Sequence, residues 1–399
     1  MRSLQAVAIA LLAATPALAA PSPRPKISYT RWMTNSILHH GVEPDFHYDE
    51  ATLYNAFQDV IAFTKNDTLK QVYHDLVDGV VLENGTIANY DYAKHSLDNY
   101  RFGNNILYWY EQTGDSKYRV AADAVRGMLD THPRNLAGGF WHRDPSYPNQ
   151  MWLDGIYMAD TFYAKWTSLF QPDNQTAWDD IMLQFDTIDA RTRNGDNLLV
   201  HGYDESKKAV WADPEDGRAP LVWGRAIGWY FMSLLEVIQL IPEEHPGRQR
   251  LITYFQKTAE GLKGAQDELG GWWNVMDRRY EDVKGNYLEA SASVMFTFGW
   301  LRGLNLGLLP EAGYKDVAAK AYRAMIDLFV TTNEDGTINW EKTVEVGSLG
   351  SNATFEVRYS RSFGNVIIAY YSSIATRKND LRGAAVFMLA SLEWEKRGC

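Results

Sequence analysis

Apolar residues recur every three or four positions along most of this chain, a spacing that predicts amphipathic helices. The segments with this spacing lie near residues 48–63, 67–79, 98–113, 115–131, 149–170, 174–193, 220–241, 247–267, 287–307, 311–331 and 380–396. Strict alternation of apolar and polar residues is confined to short pieces such as 197–203 and 336–346, which predict short strands. The pattern therefore predicts an all-α fold with short β pieces in its loops.

A glycine-containing turn followed by an aromatic residue recurs between the predicted helices. The glycines of these turns are Gly85, Gly138, Gly195, Gly270 and Gly336. A series of helical hairpins would leave this pattern, because each hairpin needs its neighbours to bury its apolar stripe. If the series closes into a ring, the aromatic loops converge on one pocket and little apolar surface stays exposed. We predict an (α/α)6 toroid of six helical hairpins, as a single domain over residues 21–399.

The first 20 residues have the features of a signal peptide and are left out of the predicted fold. They combine Arg2, an apolar run too short to span a bilayer, and the small-residue pattern ALA at 17–19. No later stretch is long and apolar enough for a membrane helix. We therefore expect a secreted protein with no membrane segment. Glycosylation is predicted at the sequons Asn66, Asn84, Asn174 and Asn352.

Composition narrows the classes of function. The chain has 399 residues, 46% of them hydrophobic, and a net charge of −11. This is enough apolar material for a large core, and the charge has the wrong sign for nucleic acid. The one cysteine, Cys399, excludes an internal disulfide. With 14 Trp and 23 Tyr, part of the aromatic content is expected to stack on sugar rings. A monomer is expected.

The segment YPNQMWLDGIYMADTFYAKW at 147–166 carries a carboxylate, Asp154, in the middle of an apolar helical pattern. On a helix, Asp154 shares a face with Tyr157 and Met158. Poor solvation there would raise the pKa of Asp154 and keep it protonated near neutral pH, as a general acid requires. The alternative is that Asp154 caps a helix that begins at Gly155. Spacing alone does not distinguish the two.

Asp98, in HSLDNYRFGNN, is the second acidic candidate, although the sequence alone favours a helix N-cap at this position. Paired carboxylates are the usual catalytic groups for glycosidic bonds. His142 and His201 lie in two of the aromatic loops, where a single histidine is more often structural than catalytic. These residues make glycosidic chemistry a hypothesis that needs further support.

The stretch VWGRAIGWY places Arg225 and Trp229 four residues apart, hence on one helix face, next to Trp223. One interpretation is a surface cation–π pair. The other is a cation that binds a substrate carboxylate, with an indole ring beside the sugar. Any anionic ligand of so acidic a protein requires such a local cation.

Motifs for other chemistries are missing from the sequence. There is no HExxH, no paired-cysteine metal site, no phosphate-binding or dinucleotide glycine motif, and no Gly-x-Ser-x-Gly elbow. The adjacent His39 and His40 form a poor chelate without further ligands. We therefore expect neither a metal nor another cofactor.

In its motifs and their order, the chain resembles the unsaturated rhamnogalacturonyl hydrolases of glycoside hydrolase family 105, relatives of the unsaturated glucuronyl hydrolases of family 88. The motifs are GGFWHRD, YPNQMWLDGIYMADTFYAKW, LLVHGYDES, VWGRAIGWY, EASASVMFTFGWLRGLNLGLL and KNDLRGAAVFMLASLEWE. The resemblance runs from about residue 50 to the end of the chain and implies an α/α toroid, in agreement with the periodicity. One segment, 354–380, is longer and less regular than the family's usual approach to its ND…G motif.

The resemblance also implies roles for individual residues. Asp154 would be the general acid/base and Asp98 its partner. Substrate-binding positions are implied at Trp152, His201, Trp223, Arg225, Trp229 and His142. The implied substrate is a pectin-derived oligosaccharide that ends in a 4,5-unsaturated uronic acid, which is released by hydration of the double bond. An inverting glycosidase, a glucuronyl-specific relative and a non-catalytic carbohydrate-binding protein remain the alternatives.

Overall fold

A computed structural model describes residues 27–278, 281, 285–349 and 370–398; the predicted signal peptide, Asn352 and most of the 354–380 segment lie outside these residues. The helices are α1 (Tyr29–His40), α2 (Tyr48–Thr64), α3 (Asp67–Asp78), α4 (Gly103–Thr113), α5 (Ser116–Asp130), α6, α7 (Gln175–Thr192), α8 (Gly224–Ile238), α9 (Pro246–Gly264), α10 (Ala290–Asn305), α11 (Glu311–Phe329) and α12 (Leu381–Lys396). Helix α6 joins an α-helical turn at Leu153–Gly155, a π-helical turn at Ile156–Asp160 and an α-helical segment at Thr161–Phe170. No helix in the described ranges has the length and apolar composition of a membrane span.

Among the described residues, six helices line a central axis and form a closed ring. Helix α2 contacts α4, and the contacts continue in order through α6, α8, α10 and α12. Helix α12 then packs against α2, which closes the ring. The odd-numbered helices lie outside it, and α1 packs on α12 across the point of closure. The predicted (α/α)6 toroid is therefore confirmed.

Glycines allow the inner helices to approach closely. A Cβ atom added to Gly299 of α10 would lie 2.2 Å from the ring of Phe231 on α8, and one added to Gly228 of α8 would lie 2.4 Å from the sulfur of Met295. Both helices are buried along nearly their whole length. Burial on every side explains why their sequences are apolar almost throughout and not only along one stripe.

Short hairpins follow the outer helices where the recurring turns are predicted. Gly85, Gly138, Gly270 and Gly336 have φ values between +80° and +95°, a region that glycine adopts at little cost. In the remaining hairpin the left-handed residue is Asn197, at φ +60°, so the turn there is not made by the predicted glycine.

The tips of these hairpins pack against the next outer helix. A Cβ atom on Gly85 would lie 2.6 Å from Val120 of α5. At the closure of the ring, Nε1 of Trp32 on α1 donates to the carbonyl of Gly336 at 2.8 Å. The other tips pack similarly on α7, α9 and α11. Each hairpin therefore fixes one outer helix to the next, and the chain after the tip runs inward to the start of an inner helix.

The short strands form antiparallel pairs in the described part of the chain. The pairs are β1 (Gln150–Trp152) with β2 (Gly202–Asp204), β3 (Val330–Thr332) with β4 (Ile338–Trp340), and β5 (Thr343–Val344) with β6 (Thr376–Arg377). Because β1 ends where α6 begins, the helix predicted over 149–170 begins at Leu153 instead. The helix predicted over 98–113 is divided into a 3₁₀ turn at Leu97–Tyr100 and α4.

Helix α1 is not predicted by the sequence pattern. Its sequence, YTRWMTNSILHH, has a weak apolar stripe, because several of the residues that it buries are hydroxyl residues. Ser36 is one of them: its Oγ accepts the main-chain N–H of Ile338 in β4 at 2.9 Å. A helix that uses hydroxyl groups in its packing interface is not detected by hydrophobic periodicity.

Candidate active site

The inner helices all begin at the same end of the ring, because an outer helix returns the chain between successive inner helices. The loops that lead into the inner helices meet at this end. Asp98 lies in the turn before α4, Asp154 in the first turn of α6 and Arg225 in the first turn of α8. Helix N-termini carry partial positive charge. This end of the ring therefore favours an anionic ligand.

Asp154 forms a buried pair with His201. Helix α6 begins at Leu153 with Trp152 as its N-cap, so the alternative that Asp154 caps a helix beginning at Gly155 is wrong. Oδ2 of Asp154 lies 3.1 Å from Nε2 of His201, whose side chain has no exposed surface. The pairing of β1 with β2 brings the two residues together.

The pKa of Asp154 is lowered, not raised as the sequence analysis predicts. Burial by itself raises the pKa, but the charge and hydrogen bond of His201 lower it below the usual value of 3.8, and His142 acts in the same direction. The apolar neighbours of Asp154 lie on its own helix face and are evident from the sequence. His142 and His201 come from other parts of the chain and are not. In the free protein at neutral pH Asp154 is ionised, so any proton that it donates must first be taken up by its pair with His201.

Asp98 faces His142 and Arg143 and does not cap a helix. Its Oδ2 accepts from Nη2 of Arg143 at 2.5 Å, and its Oδ1 lies 3.7 Å from Nε2 of His142. A Cβ atom on Gly155 would lie 3.4 Å from Nδ1 of the same histidine. Burial lowers the pKa of His142 despite the opposing charges of Asp98 and Asp154. A neutral imidazole thus lies between the two carboxylates.

Arg225 is a buried guanidinium that contacts no carboxylate among the described residues. Its side chain is 2% exposed. Nη2 donates to the main-chain carbonyl of Glu345, and Nη1 donates to Oγ of Ser291 at 3.5 Å. Burial, followed by the charge of Arg382, lowers its pKa. The guanidinium also lies 5.0 Å from the ring of Trp223, so a cation–π contact is present, but it is buried and not the surface pair of the alternative interpretation. An anionic ligand would stabilise this cation.

Two of the tryptophans that the resemblance implies as substrate-binding residues pack against the histidines of the site. Trp152 stacks on His142 with ring centroids 4.2 Å apart and an interplanar angle of 15°. Trp223 lies 4.8 Å from the ring of His201. Both indoles are buried. The structure therefore brings them to the carboxylates, where they restrict the orientation of both imidazoles.

Trp229 lies deeper in the ring, on the second turn of α8. Its ring stacks on Tyr157 at 4.6 Å and meets the edge of Tyr48 at 6.1 Å. Sequence reasoning missed Tyr48, the first residue of α2, whose hydroxyl lies 3.4 Å from Nη1 of Arg382. Burial raises the pKa of Tyr48 to about 12, in spite of that guanidinium. Tyr48 is therefore a neutral hydrogen-bonding group at the same end of the ring.

Further residues missed by sequence reasoning come from the C-terminal part of the chain. Arg382 and Asp380 form a buried bidentate ion pair at the start of α12. Tyr371 places its hydroxyl 2.9 Å from Nδ1 of His201 and stacks its ring on Trp223. The DLRG sequence at the start of α12 gives a local signal for the ion pair. No local pattern could connect Tyr371 with His201, 170 residues away.

A cavity of about 310 Å³ lies at the opposite end of the ring, among the later turns of the inner helices. Its carboxylates include Glu236, which pairs with Arg101 at 2.7 Å, and Glu111, which pairs with Lys165 at 2.7 Å. No histidine is among the described residues that line it. The Asp154–His201 pair and Arg225, which contacts no carboxylate among the described residues, lie at the end where the inner helices begin. We therefore take that end of the ring as the candidate active site.

Asp160, in the π-helical turn of α6, is a second buried carboxylate on the helix that carries Asp154. It is 1% exposed, and its Oδ1 has no hydrogen-bond partner among the described residues. Burial, and then the charge of Asp180, raise its pKa well above the usual value, although Arg134 opposes this. Asp160 therefore costs stability when the pH favours its ionised form.

Replacing Asp160 with Asn should raise the melting temperature at pH 8 and have little effect at pH 4. Asp160 has a higher pKa in the folded protein than in the unfolded protein. At pH values between these two, the folded state therefore binds more protons than the unfolded state. Stability that is present below about pH 4 is thus lost as the pH rises towards the folded pKa. An amide does not titrate and removes this loss. Thermal unfolding of both proteins at the two pH values measures the effect; equal shifts at both would contradict it.

The predicted glycosylation sites differ in how their side chains are engaged. Asn66 and Asn174 are the N-caps of α3 and α7, and Nδ2 of Asn174 also donates to Gln171 at 2.6 Å. Asn84 is exposed in the first hairpin, where its Oδ1 accepts the main-chain N–H of Thr86 at 3.0 Å. Nδ2 is the atom that a glycan modifies, so Asn174, whose Nδ2 already donates, is the least accessible acceptor of the three, whereas Asn66 and Asn84 are both exposed and accept through Oδ1.

Comparison with known proteins places this architecture in a family. A sequence profile described as Glycosyl Hydrolase Family 88 matches residues 28–398. The chain belongs to glycosyl hydrolase family 88. A family 105 glycoside hydrolase from C. acetobutylicum has a similar structure, with a TM-score of 0.85 and 34% identity over 93% of this chain and 100% of its own. The resemblance to these families is confirmed, and the protein is a glycoside hydrolase.

Two named relatives of this family 88 hydrolase are similar over parts of the chain. The unsaturated 3S-rhamnoglycuronyl hydrolase of Alteromonas sp. (strain LOR) is 35% identical over 130 residues, 32% of this chain and 30% of its own. The unsaturated rhamnogalacturonyl hydrolase YesR of Bacillus subtilis is 24% identical over 251 residues, 61% of this chain and 66% of its own. The family match begins at residue 28. It therefore includes α1, which precedes the sequence motifs that carry the family resemblance.

Proposed function

We propose that this family 88 hydrolase removes a 4,5-unsaturated uronic acid from the non-reducing end of pectin-derived rhamnogalacturonan oligosaccharides by adding water across the C4=C5 bond. One observation carries the proposal: Trp223 contacts both Arg225, a buried cation without a carboxylate partner in the described residues, and His201 of the buried pair with Asp154. An unsaturated uronate needs a cation for its carboxylate and a proton donor for its double bond. The names of the two relatives support this class of substrate.

Arg225 is proposed to bind the uronate carboxylate. A guanidinium offers two parallel N–H groups that match the two oxygens of a carboxylate. The nearby Arg382 and the buried surroundings make the charge of Arg225 costly in the free protein. A bound carboxylate offsets both effects, so the interaction favours the charged sugar over a neutral one.

The proton for C4 is proposed to come from Asp154 through its pair with His201. The unsaturated uronide is an enol ether, which accepts a proton on carbon at C4. Because Asp154 is ionised in the free protein, it must take up a proton before it can donate one to C4. A bound uronate favours the protonated form, since its negative charge raises the pKa of a nearby carboxyl group.

Asp98 is proposed to stabilise the positive charge that develops at C5 and the ring oxygen after protonation. An ionised carboxylate already in place does so without reorganisation during the reaction. Arg143 and His142 hold Asp98 in position. Water then adds to C5 and returns a proton to Asp154. The resulting hemiketal opens and releases the neighbouring sugar.

The loss of ultraviolet absorbance from the unsaturated residue tests this function. Rhamnogalacturonan fragments made by a lyase should lose absorbance as the neighbouring sugar is released, and saturated fragments of the same length should stay intact. An inverting glycosidase would also cleave the saturated fragments, because it does not require the double bond. A non-catalytic binding protein would leave both kinds of fragment intact. Comparing galacturonyl with glucuronyl substrates then separates the two uronyl preferences.

We also propose that the protein is secreted as a glycosylated monomer. The signal-peptide features of the first 20 residues and the exposed sequon at Asn84 support this. Expression in a eukaryotic host should give medium-borne protein whose mass falls on enzymatic removal of N-glycans, and part of that change should disappear with Asn84→Gln. Protein retained in cells, or of unchanged mass, would contradict the proposal. Sedimentation would report the oligomeric state.

A further inference from the structure

Tyr371 contacts the nitrogen of His201 that does not face Asp154. Its Oη lies 2.9 Å from Nδ1 of His201, and Nε2 of the same ring lies 3.1 Å from Oδ2 of Asp154. All three side chains are buried. They form a chain of hydrogen bonds that ends at the proposed proton donor.

The ring of Tyr371 is held by contacts that do not involve its hydroxyl. It stacks on Trp223 with centroids 5.5 Å apart. The main-chain carbonyl of Tyr371 accepts from Nδ2 of Asn274 at 3.0 Å, and Oδ1 of Asn274 accepts from Nε1 of Trp223 at 2.9 Å. The phenol therefore stays in place whichever way its O–H points, and a phenylalanine would keep the same packing.

The phenol of Tyr371 can hydrogen-bond to Nδ1 of His201 in either charge state of the ring, because a hydroxyl both donates and accepts. When His201 is neutral with its proton on Nε2, Nδ1 accepts from Tyr371. When the ring carries a second proton, Nδ1–H donates to Oη of Tyr371. Burial, Tyr370 and Asp154 raise the pKa of Tyr371 well above 10, so the O–H persists throughout the working pH range.

We propose that Tyr371 is a positioning residue: it hydrogen-bonds to Nδ1 of His201 in either charge state of the ring and so allows the Asp154–His201 pair to gain and lose a proton. The inference rests on the proposed function. The pair takes one proton from solvent, Nε2–H of His201 passes its proton to Asp154, and Asp154 delivers it to C4 while Nδ1–H donates to Tyr371. The water that adds to C5 then returns one proton to Asp154. No proton is consumed over the cycle.

The other titratable and charged groups around the pair are few. His142 lies next to Asp154, with Asp98 and Arg143 behind it. Tyr370 lies beside Tyr371. Of these, only Tyr371 hydrogen-bonds to Nδ1 of His201 in the described part of the chain.

Tyr371→Phe should make the protonated pair harder to form. In this variant a second proton on His201 would leave a charged N–H without a partner in a buried site, which costs more than an unpaired lone pair. If the reacting enzyme needs that proton, activity is present below the apparent pKa of the pair and is lost above it. The alkaline limb of kcat/KM should therefore move to lower pH by about one unit, with KM below the limb little changed.

Tyr370→Phe is the matched control, because the Tyr370 hydroxyl accepts from the main-chain N–H of Ser348 at 3.0 Å and not from the pair. Its alkaline limb should coincide with that of the wild type. Nitrogen NMR of histidine-labelled protein gives a second readout that needs no turnover, with the His201 signal identified by its loss in His201→Gln. In Tyr371→Phe the Nδ1 signal should move to the position of an imidazole nitrogen without a hydrogen-bond partner.

Coinciding pH profiles and coinciding His201 Nδ1 signals in the wild type and Tyr371→Phe would overturn the inference. If the wild type failed to consume any unsaturated uronide, the proposed function would be wrong, and the NMR comparison alone would decide the role of Tyr371. A shifted Nδ1 signal then supports that role and an unshifted one refutes it.

Discussion

Replacing Asp154 with Asn should lower kcat on an unsaturated uronide by about 10³-fold and leave the fold intact. Asparagine matches the shape of aspartate, and its Oδ1 can still accept from Nε2 of His201, so packing in the first turn of α6 is preserved. It has no acidic proton for C4 and cannot take one from water. The decay of ultraviolet absorbance gives kcat, and thermal unfolding reports the fold.

Asp160→Asn provides the matched control for this experiment. It makes the same chemical change on the same helix, at a carboxylate that pairs with no histidine in the described structure. We expect normal kcat from Asp160→Asn and almost none from Asp154→Asn. A folded Asp154→Asn protein with near-normal kcat would exclude Asp154 as the proton donor.

Replacing Arg225 with Lys should raise KM by about tenfold or more and change kcat much less. An ammonium group keeps the charge but loses the paired N–H groups, and hydrogen bonds to charged groups are worth about 1.5–3 kcal/mol. If the carboxylate is bound equally tightly in the ground state and in the transition state, this loss raises KM and leaves kcat nearly unchanged. Initial rates over a range of substrate concentrations separate the two constants.

A substrate without the charge provides the control. On the methyl ester of the unsaturated uronide, wild type and Arg225→Lys should have similar KM values, because neither can form the ion pair. Arg191→Lys, which alters an exposed ion pair with Glu205, should leave KM unchanged on both substrates. A KM for the free uronate that does not respond to Arg225→Lys would mean that another group binds the carboxylate.

Much of the fold can be predicted from periodicity, because a closed ring of hairpins requires every helix to bury an apolar face. The prediction fails where burial uses other groups. Helix α1 buries hydroxyl groups such as Ser36 and lacks a strong apolar stripe. At 195–197 the chain turns through Asn197, a residue that also tolerates the left-handed region, and not through the glycine that marks the other turns.

The site is only partly predictable, because local motifs show which residues are present but not what they contact. Asp154 and Arg225 stand out as charges within apolar helices. The direction of the pKa shift of Asp154 depends on His201, which reaches it through the pairing of β1 with β2. The contact of Tyr371 with His201 spans 170 residues, and that of Tyr48 with Arg382 spans 334. No pattern within a short window contains that information.

The measurement that most directly tests hydration of the double bond is turnover in deuterated water enriched in heavy oxygen. The reaction is quenched early, because the keto group formed at C5 exchanges its oxygen, and the released fragments are analysed by mass spectrometry. Hydration of the double bond should place one solvent deuterium at C4 and solvent oxygen at C5 of the former unsaturated residue. Oxygen at C1 with no deuterium at C4 would show direct hydrolysis of the glycosidic bond and would contradict the role proposed here for Asp154.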